Sequence, residues 1–407
     1  MKVLVIGGGA AGLLAAGFAA QNGHAVTIVE RNPRPARKVM ITGKGRCNLT
    51  NACSVEECVA NVPRNGRFLY SALSAFPPSA IIELVESQGV KLKIERGNRV
   101  FPVSDKAVDV VDALTRFADK AKALRVQGRV TDLILREGVC FGARLEDGRV
   151  LEAEAVIVCT GGASYPQTGS TGDGYTLARQ AGHTVVPPRP SLVPLTCAEA
   201  DCGAMQGLSL KNAGLSVEDT VTGKTIYRDF GEMLFTHFGV SGPMVLSASA
   251  HMTDMQPRRY RLHIDLKPAL SAEQLDARLV RELEAEKNRA VGNMLPALLP
   301  RSMVVPAATR AAIPPEQKCH TVSREERRRL GAVLKDWTVT VTDFRPINEA
   351  IITSGGVSVK EINAKTMESK LVSGLYFAGE VLDVDAYTGG FNLQVAFATG
   401  AAAGRAI

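Results

Sequence analysis

The chain contains 407 residues, of which 45% are hydrophobic and 22% charged, and its formal net charge is +7. This length permits two or three domains, and the composition is typical of a globular protein. The modest positive charge favours small anionic ligands and does not by itself indicate nucleic acid. No apolar run reaches the ~18 residues of a membrane-spanning helix, so we expect a cytoplasmic protein. The eight cysteines form no C-x-x-C pair, so neither a disulfide framework nor a metal site is expected.

The first thirty residues predict a strand, a glycine-rich turn, a helix and a second strand. Residues 3–6 form a short apolar run, residues 10–20 are typical of a helix of small residues, and a second apolar run over 25–29 ends at Glu30. Three glycines in the turn have the spacing G-x-G-x-x-G: Gly7, Gly9 and Gly12. Such glycines let backbone N–H groups approach a pyrophosphate, and the acid can accept from a ribose hydroxyl. The N-terminus therefore predicts a dinucleotide site.

A basic, glycine-interrupted loop follows the second strand. Its cations are Arg31, Arg34, Arg37, Lys38, Lys44 and Arg46. Gly43 and Gly45 flank Lys44, an arrangement that can direct backbone N–H groups and cations at a diphosphate. The alternative is a solvated basic loop. The same cations are expected to favour the thiolate of Cys47, although a structural or cofactor-lining cysteine is the commoner case.

Residues 67–125 are predicted to be helical, with breaks at 77–78 and 97–98. Three short strands at 129–135, 139–145 and 149–152 then predict an antiparallel meander. A buried strand at 155–158 ends in Cys-Thr-Gly-Gly at 159–162. This ending is typical of a second nucleotide-proximal loop, and the alternative is a core strand with an incidental glycine turn.

Prolines at 187, 188, 190 and 194 predict a linker, after which the character of the sequence changes. Residues 188–265 predict a β-rich, barrel-like substrate domain, and residues 266–339 predict a helical subdomain. Within 323–335, arginines alternate with glutamates, which is typical of a solvated face. Ser241 is expected to cap a helix. His237, in an apolar loop, is a weak candidate for acid–base catalysis, because a single histidine is more often structural.

The final segment, 340–407, returns to α/β character, with a strand at 338–341 leading into it, an interruption at 354–356 and a buried strand at 375–378. Thr388, Gly389 and Gly390 then open a terminal helix from about Phe391. The free N–H groups of such a helix stabilise negative charge, and a reduced flavin is anionic at its pyrimidine edge. Asn392 and Gln394 are candidate side-chain donors. The alternative is a plain packed helix.

All nucleotide-like features lie in 1–187 and 340–407, so we predict one cofactor domain interrupted by an insertion. A simple NAD dehydrogenase usually lacks the meander and the C-terminal helix, and FAD is therefore the better assignment. No second G-x-G-x-x-G follows a later strand. NAD(P)H is expected, if at all, as a transient donor.

The chain resembles, nearly end to end, the flavoprotein family of bile-acid-inducible 3-dehydro-bile-acid reductases and aminoacetone-oxidase-like, NAD(P)/FAD-dependent oxidoreductases. The resemblance is carried by GGGAAG (7–12), TGKGRCNLTN (42–51), TGGASYPQTGSTGDGY (160–175), LVPL (192–195), QGLSLKN (206–212), FTHFGVSGP (235–243) and GLYFAGEVLDVDAYTGGFNLQ (374–394). It implies an α/β fold: a Rossmann-like FAD-binding domain of the glutathione-reductase-like group, interrupted by an inserted β-barrel plus helical subdomain. Val395-Ala396-Phe397 replaces the bulkier tail usual in the family.

The motifs and this resemblance together predict the cofactor-binding residues. They are Gly7, Gly9, Ala10, Ala11, Gly12, Glu30, Arg31, Lys38, Gly43, Gly45, Arg46, Cys47, Asn48, Val130, Thr160, Gly161, Gly162, Gly379, Glu380, Gly389, Gly390, Phe391, Asn392 and Leu393. FAD is expected to be bound tightly without a covalent link.

The leading functional hypothesis is an FAD-dependent oxidoreductase whose flavin reduces or oxidises a small organic substrate at the interface with the inserted domain. An aminoacetone-type amine oxidase is the alternative within enzymes. A flavoprotein that modifies RNA is a third reading, weakly motivated by the arginines at 324–329. Interleaved glutamates and the single Trp337 argue against a stacking RNA surface there. Neither a metal nor a membrane partner is expected.

Overall fold

The computed structural model describes residues 1–407 in full and divides them into two compact units. The discontinuous unit comprises Met1–Ser191 and Pro346–Ile407, and the inserted unit comprises Leu192–Arg345. The sequence predicts boundaries at 187/188 and 339/340, whereas the compact units divide at 191/192 and 345/346.

The backbone forms nineteen strands and fourteen α-helices. The strands are β1 (Lys2–Ile6), β2 (Ala25–Glu30), β3 (Thr50–Asn51), β4 (Leu92–Glu95), β5 (Arg99–Pro102), β6 (Leu124–Gln127), β7 (Val130–Arg136), β8 (Val139–Leu145), β9 (Val150–Glu152), β10 (Ala155–Val158), β11 (Val185–Ser191), β12 (Leu195–Cys197), β13 (Ser209–Asp219), β14 (Lys224–Thr236), β15 (Gly239–Ser241), β16 (Tyr260–Asp265), β17 (Trp337–Phe344), β18 (Ile352–Val357) and β19 (Leu375–Phe377). The helices are α1 (Ala10–Gln21), α2 (Arg37–Ile41), α3 (Val55–Ala60), α4 (Tyr70–Ala75), α5 (Pro78–Ser87), α6 (Ala107–Lys120), α7 (Asp173–Gln180), α8 (Asp201–Ala204), α9 (Pro243–Ser249), α10 (Ala272–Ala285), α11 (Val291–Met294), α12 (Arg301–Arg310), α13 (Arg324–Lys335) and α14 (Phe391–Ala406).

The discontinuous unit is built around a parallel sheet with the strand order β19-β10-β1-β2-β6. Its central strands are short apolar runs, and all four residues of β10 are buried. Because parallel strands end at the same edge of a sheet, Gly7, Glu30 and Cys159 come to one edge from three distant places in the sequence. This is the architecture that the N-terminal pattern predicts.

Two glycines bring the first and last helices of the unit into backbone contact. A Cβ at Gly400 would lie 2.3 Å from the Ala11 carbonyl oxygen, and one at Gly404 would lie 2.3 Å from that of Ala15. Only glycine permits such an approach. The helices α1 and α14 therefore pack backbone to backbone.

The smaller sheets correct two predictions. The region 67–125 is not helical throughout, because β4 and β5 form a hairpin around residues 96–98, where Asn98 has a φ of 56°. The proline-rich segment is not a linker: it forms β11, which pairs only with β18, and a register shift leaves Pro187 and Pro188 outside the ladder. Gly355 lies inside β18, where a Cβ would be 2.5 Å from the Pro187 carbonyl oxygen. The predicted meander is present as β7-β8-β9.

The inserted unit contains a closed barrel, β12-β15-β14-β13-β16-β17, with the helices α10–α13 sharing its core. The strand predicted at 338–341 was expected to lead into the second cofactor segment. It belongs to the barrel instead, because β17 pairs with both β12 and β16 and places Trp337 in the core. Ser241 does not cap a helix as expected, because it lies in β15, where it pairs with Leu234 of β14, and Gly242 takes the N-cap position of α9.

No single helix has the length and apolar character to cross a membrane, and one bent pair, Gly66–Ala75 with Pro78–Ser87, has them by length and composition only. No group of three or more His, Cys, Asp or Glu side chains is placed to hold a metal ion. All eight cysteines are free.

Candidate cofactor-binding site

The carboxyl edge of the parallel sheet opens into an elongated cleft of the discontinuous unit. Its space, including the open mouth, is about 1220 Å³. The walls come from the first turn of α1, the end of β2 with α2, the start of β7, the loop after β10, and the segment from Ala378 into α14. Residues from both ends of the sequence therefore meet at a single site.

The three glycines of the first motif have different roles. A Cβ at Gly7, whose φ is 100°, would lie 2.5 Å from the Cys159 carbonyl oxygen, and one at Gly12 would lie 1.9 Å from the Gly7 carbonyl oxygen. Gly9, in contrast, has no atom within 4 Å of the Cβ position and lines the cleft. Gly7 and Gly12 are thus required for packing, and Gly9 leaves open space for a ligand.

The first turn of α1 presents unpaired N–H groups. Its first intrahelical bond runs from the Leu13 N–H to the Gly9 carbonyl oxygen at 3.0 Å, and the N–H groups of residues 9–12 donate to no backbone carbonyl. Together with the positive end of the helix dipole, these groups form an anion site.

Glu30 lies at the end of β2 and is already oriented by hydrogen bonds. One carboxylate oxygen accepts from the Gly8 N–H at 2.8 Å, and the other accepts from the backbone and side-chain N–H groups of Asn32, each at 2.8 Å. A carboxylate oxygen has further lone pairs, so Glu30 can still accept from a ligand hydroxyl. Val29 and Val130 add apolar surface to the cleft.

The main cations of the cleft are paired with acids. Lys38 donates to the two carboxylate oxygens of Glu380 at 2.7 and 2.9 Å, and to the Ser164 hydroxyl at 2.7 Å. Arg129 makes two bonds of 3.0 Å to Asp173. Burial alone would raise the pKa of Asp173, but the Arg129 guanidinium holds it below its usual value. A phosphate would therefore meet chiefly the N–H groups of α1 and the guanidinium of Arg37, which lines the cleft, takes part in no ion pair and donates to the Asn32 side-chain oxygen at 3.1 Å.

The loop from Gly43 to Asn48 does not line the cleft. Arg46 donates to Glu95 and Asp105 at 2.5 and 2.6 Å, and its guanidinium lies 4.3 Å from the ring centre of Phe101. Cys47 is fully buried, and burial raises the pKa of its thiol to about 12. The expectation of a thiolate was wrong, because desolvation dominates and the neighbouring Arg46 is neutralised by acids.

The N-terminus of α14 forms the other end of the site. Its N-cap, Gly390, has a φ of 99°, and a Cβ there would lie 2.4 Å from the Thr50 backbone. The first intrahelical bond runs from the Gln394 N–H to the Gly390 carbonyl oxygen at 3.1 Å, so the N–H groups of residues 391–393 lack backbone acceptors. Asn392 and Leu393 line the cleft.

The side chains suggested as ring donors are engaged elsewhere. Asn392 donates to the Ala386 carbonyl oxygen at 2.7 Å and accepts from the Ala386 N–H at 2.8 Å, which shapes the preceding loop. Gln394 is buried, accepts from the Thr50 hydroxyl at 2.7 Å and donates to the Phe76 carbonyl oxygen at 2.9 Å. Gln394 therefore holds α14 in place, and the suggestion that it faces a ligand was wrong.

The structure brings together a little over half of the predicted site residues. Those lining the cleft are Gly7, Gly9, Ala10, Ala11, Glu30, Arg31, Lys38, Val130, Thr160, Gly161, Gly379, Glu380, Asn392 and Leu393. Those outside its lining are Gly12, Gly43, Gly45, Arg46, Cys47, Asn48, Gly162, Gly389, Gly390 and Phe391. Arg37, one of the cations of the predicted basic loop, also lines the cleft, and polar lining residues outside the predicted set are Asn32, Thr42, Arg129, Thr168, Ser170 and Asp173. Thr42, Thr168, Ser170 and Asp173 lie inside motifs that carry the family resemblance, but nothing local marks Arg129.

His237 lies in the inserted unit, in the two-residue turn between β14 and β15. The side chain is exposed, and its ring makes a T-shaped contact with Phe238 at 5.0 Å between centroids. Nothing in this environment assigns it a catalytic role, and its candidacy stays a prediction.

The cleft fits an extended dinucleotide with an electron-rich ring. Gly9 leaves space against the free N–H groups of α1, and the free N–H groups of α14 border the same cleft. Gly379 lies between the two helices, where a Cβ would be 3.0 Å from the Ala11 Cβ. A pyrophosphate at α1 and the pyrimidine edge of a flavin at α14 would satisfy both sets of donors. The fold and the cleft together are those of a Rossmann-type FAD-binding domain.

The model of the family described as HI0933-like protein Rossmann domain matches residues 1–406. The chain therefore belongs to this family of FAD-dependent oxidoreductases, and the resemblance seen in the motifs is confirmed.

Three similar proteins extend this comparison. The ribosomal RNA dihydrouridine synthase of Escherichia coli K12 is 32% identical over 97% of this chain and 95% of its own length. The 3-dehydro-bile acid delta(4,6)-reductase of Clostridium scindens is 30% identical over 100% of this chain and 98% of its own length. The crystal structure of a 3-ketosteroid-delta4-(5alpha)-dehydrogenase from Rhodococcus jostii RHA1 is similar in fold, with a TM-score of 0.51, 16% identity, and coverage of 100% of this chain and 96% of that one.

Proposed function

We propose that this protein uses non-covalently bound FAD to reduce a carbon–carbon double bond conjugated to a carbonyl group, with NAD(P)H as electron donor. Support comes from two relatives that match nearly the whole chain. Their names specify different substrates but the same reaction, the reduction of a carbon–carbon double bond. A dihydrouridine synthase saturates the ring double bond of uracil, and a delta(4,6)-reductase saturates steroid double bonds. In both, a hydride and a proton add across the double bond, and the nicotinamide would give up the hydride.

The observation that carries the proposal is the convergence of two free helix N-termini on one cleft. The N–H groups of residues 9–12 would bind the diphosphate, and Glu30 would accept from a ribose hydroxyl. The N–H groups of residues 391–393 would hold the electron-rich edge of the ring. When bound, FAD supplies two-electron transfer between donor and substrate. The Lys38–Glu380 pair would neutralise two of the charged side chains that line this cleft.

We propose uracil in ribosomal RNA as the substrate, and a small steroid-like enone is the other source of the same chemistry. The RNA assignment departs from the sequence-based expectation of a small molecule, and it is supported by the E. coli relative, whose name specifies ribosomal RNA. Cytoplasmic location, which such a substrate requires, stays a prediction.

The test is anaerobic reduction of the purified holoenzyme by NADH or NADPH, followed by oxidant challenge. Ribosomal RNA from cells lacking the gene, free uridine and a 3-keto-4-ene steroid are compared as acceptors. The expected result is flavin reoxidation by the RNA and dihydrouridine in that RNA by mass spectrometry. Reoxidation by the steroid alone would replace the RNA substrate and keep the reductase. Peroxide formation with an amine and oxygen, without any double-bond reduction, would overturn the proposal.

A further inference from the structure

The segments around the β4–β5 hairpin carry an excess of positive charge. Residues 42–51 and 91–106 contain seven basic and two acidic residues, a net charge of +5. We propose that this region binds the phosphate backbone of RNA. This inference rests on the RNA substrate proposed above. The hairpin surface is defined by its exposed cations Lys44, Lys91, Arg96, Arg99 and Lys106.

The two acidic side chains of this region are already paired with basic side chains of the same region. Glu95 accepts from Arg46 at 2.5 Å, and Asp105 accepts from Arg46 at 2.6 Å and from Lys93 at 2.8 Å. Hydrogen bonds from Arg46 lower the pKa of Glu95, and hydrogen bonds from Lys93 and Arg46 lower that of Asp105. Both carboxylates are therefore already paired with the half-buried cations Arg46 and Lys93.

The five exposed cations consequently face solvent without an acid of their own. None of them takes part in the ion pairs of the structure. Lys91 is the least free, because Asp109 and Asp112 line the same shallow pocket, although Asp112 is paired with Arg34 at 2.9 Å. The hairpin itself is well held: Arg99 donates to the Arg96 carbonyl oxygen at 3.0 Å.

The hairpin surface is connected to the ring end of the cleft through one side chain. The Asn51 amide donates to the Gly97 carbonyl oxygen at 2.9 Å in the hairpin turn, and to the Gly389 carbonyl oxygen at 3.2 Å before α14. Thr50, adjacent to Asn51, packs against Gly390. Phosphates bound by the hairpin would therefore lie beside the end of the cleft assigned to the flavin ring.

The chemistry of the surface indicates how it would bind. Phe101 is buried, and the hairpin exposes no aromatic side chain on which bases could stack. Arginine and lysine contacts to phosphate position a nucleic acid without reading its sequence, and their affinity falls steeply with salt. We expect the hairpin surface to supply this salt-dependent part of RNA affinity.

The arginine-rich helix α13 provides the contrast. Arg327 donates to Asp276 at 2.7 Å, Lys335 pairs with Asp265, and Glu326 closes the capping box with Ser323. The positive charge of α13 is thus largely balanced locally. This helix was the reason for considering RNA from sequence, and the hairpin is the better surface.

The experiment compares two matched triple variants of the holoenzyme. Arg96→Gln, Arg99→Gln and Lys106→Gln remove three charges from the hairpin surface. Arg281→Gln, Arg324→Gln and Arg328→Gln remove three exposed charges from α10 and α13. Binding of a fluorescein-labelled oligouridylate is measured by anisotropy across a salt series, and FAD content and flavin reduction by NAD(P)H serve as controls.

The hairpin variant is expected to lose roughly 10- to 100-fold in affinity at low salt and about 2 units of salt slope, with unchanged FAD content and flavin reduction. The control variant should stay within about twofold of the unmodified protein. Equal losses in both variants, or no salt-sensitive affinity in the unmodified protein, would overturn the hairpin assignment. Hairpin-dependent binding without dihydrouridine formation would instead reject the proposed reaction and leave the surface standing.

Discussion

The N-termini of α1 and α14 border the same cleft but are built differently. At α1 the N-cap glycine faces open space, with no atom within 4 Å of its Cβ position. At α14 a Cβ on the N-cap glycine would lie 2.4 Å from the Thr50 backbone, and the helix is held by Gln394, which hydrogen-bonds Thr50 and Phe76. The α1 turn is a local motif whose backbone N–H groups are left open to a ligand, whereas the α14 turn depends on distant segments that pack around it.

The largest expected effect comes from separating the two helices. Gly400→Val places a side chain where the Ala11 carbonyl oxygen already lies within 2.3 Å. Overpacking of this kind costs about 1–3 kcal/mol, and it would move both N-termini apart. We expect a lower urea midpoint together with loss of FAD. Ala406→Val, on the exposed end of the same helix, is the matched control and should change neither. A Gly400→Val protein with full stability and full FAD content would refute backbone-to-backbone packing.

Gly9→Ala sharpens the comparison, because it should affect the ligand and not the fold. The φ of −80° at Gly9 suits alanine, and the added methyl group meets no protein atom. The methyl group would occupy space needed by the diphosphate, so FAD affinity should fall about 10- to 100-fold, or ~1.4–3 kcal/mol. Titration of the apoprotein with FAD measures this. Gly331→Ala in α13, which meets only Leu279 at 3.6 Å, should leave FAD affinity unchanged. Equal affinities for Gly9→Ala and Gly331→Ala would contradict the role of the open turn.

Glu30→Ala tests the ribose end of the same half-site. It removes an acceptor used by Gly8 and Asn32 and offered to the ribose, and hydrogen bonds to charged groups contribute about 1.5–3 kcal/mol. FAD and ADP should weaken together by roughly tenfold, while FMN, which lacks the adenosine, should be unaffected. Full cofactor occupancy after dialysis would count against this role.

The effect that is smallest near neutral pH concerns Cys47, at which sequence and structure disagree. Its pKa in the folded protein is raised to about 12, whereas a thiol in the unfolded chain ionises near about 8.5. The folded state therefore keeps a proton that the unfolded state loses, and stability should decline as pH rises from about 8.5 towards 12. Unfolding midpoints at several alkaline pH values should show this decline, and Cys47→Ala should reduce it. Rapid alkylation of folded Cys47 near pH 8 would contradict the burial.

The parts predictable from sequence are those in which neighbours in the chain are neighbours in space. The strand, glycine turn, helix and acid of the first thirty residues are local, and so is the meander. Lys38 was expected to face a phosphate, but its partner Glu380 is 342 residues away, and no local pattern announces that pair. The predicted roles of Gln394 and Cys47 were wrong for the same reason, because the burial of both side chains depends on segments that are distant in the sequence. Proline-rich β11 was missed because its partner β18 is also distant.

The central claim is that both ends of this chain assemble one FAD site. The most direct measurement is the absorbance spectrum of the purified protein, with the heat-released cofactor identified by mass spectrometry. We predict a flavin spectrum, release of intact FAD on denaturation, and one FAD per chain after reconstitution. A colourless protein that takes up no FAD, or one that binds FMN or NAD in its place, would contradict the account.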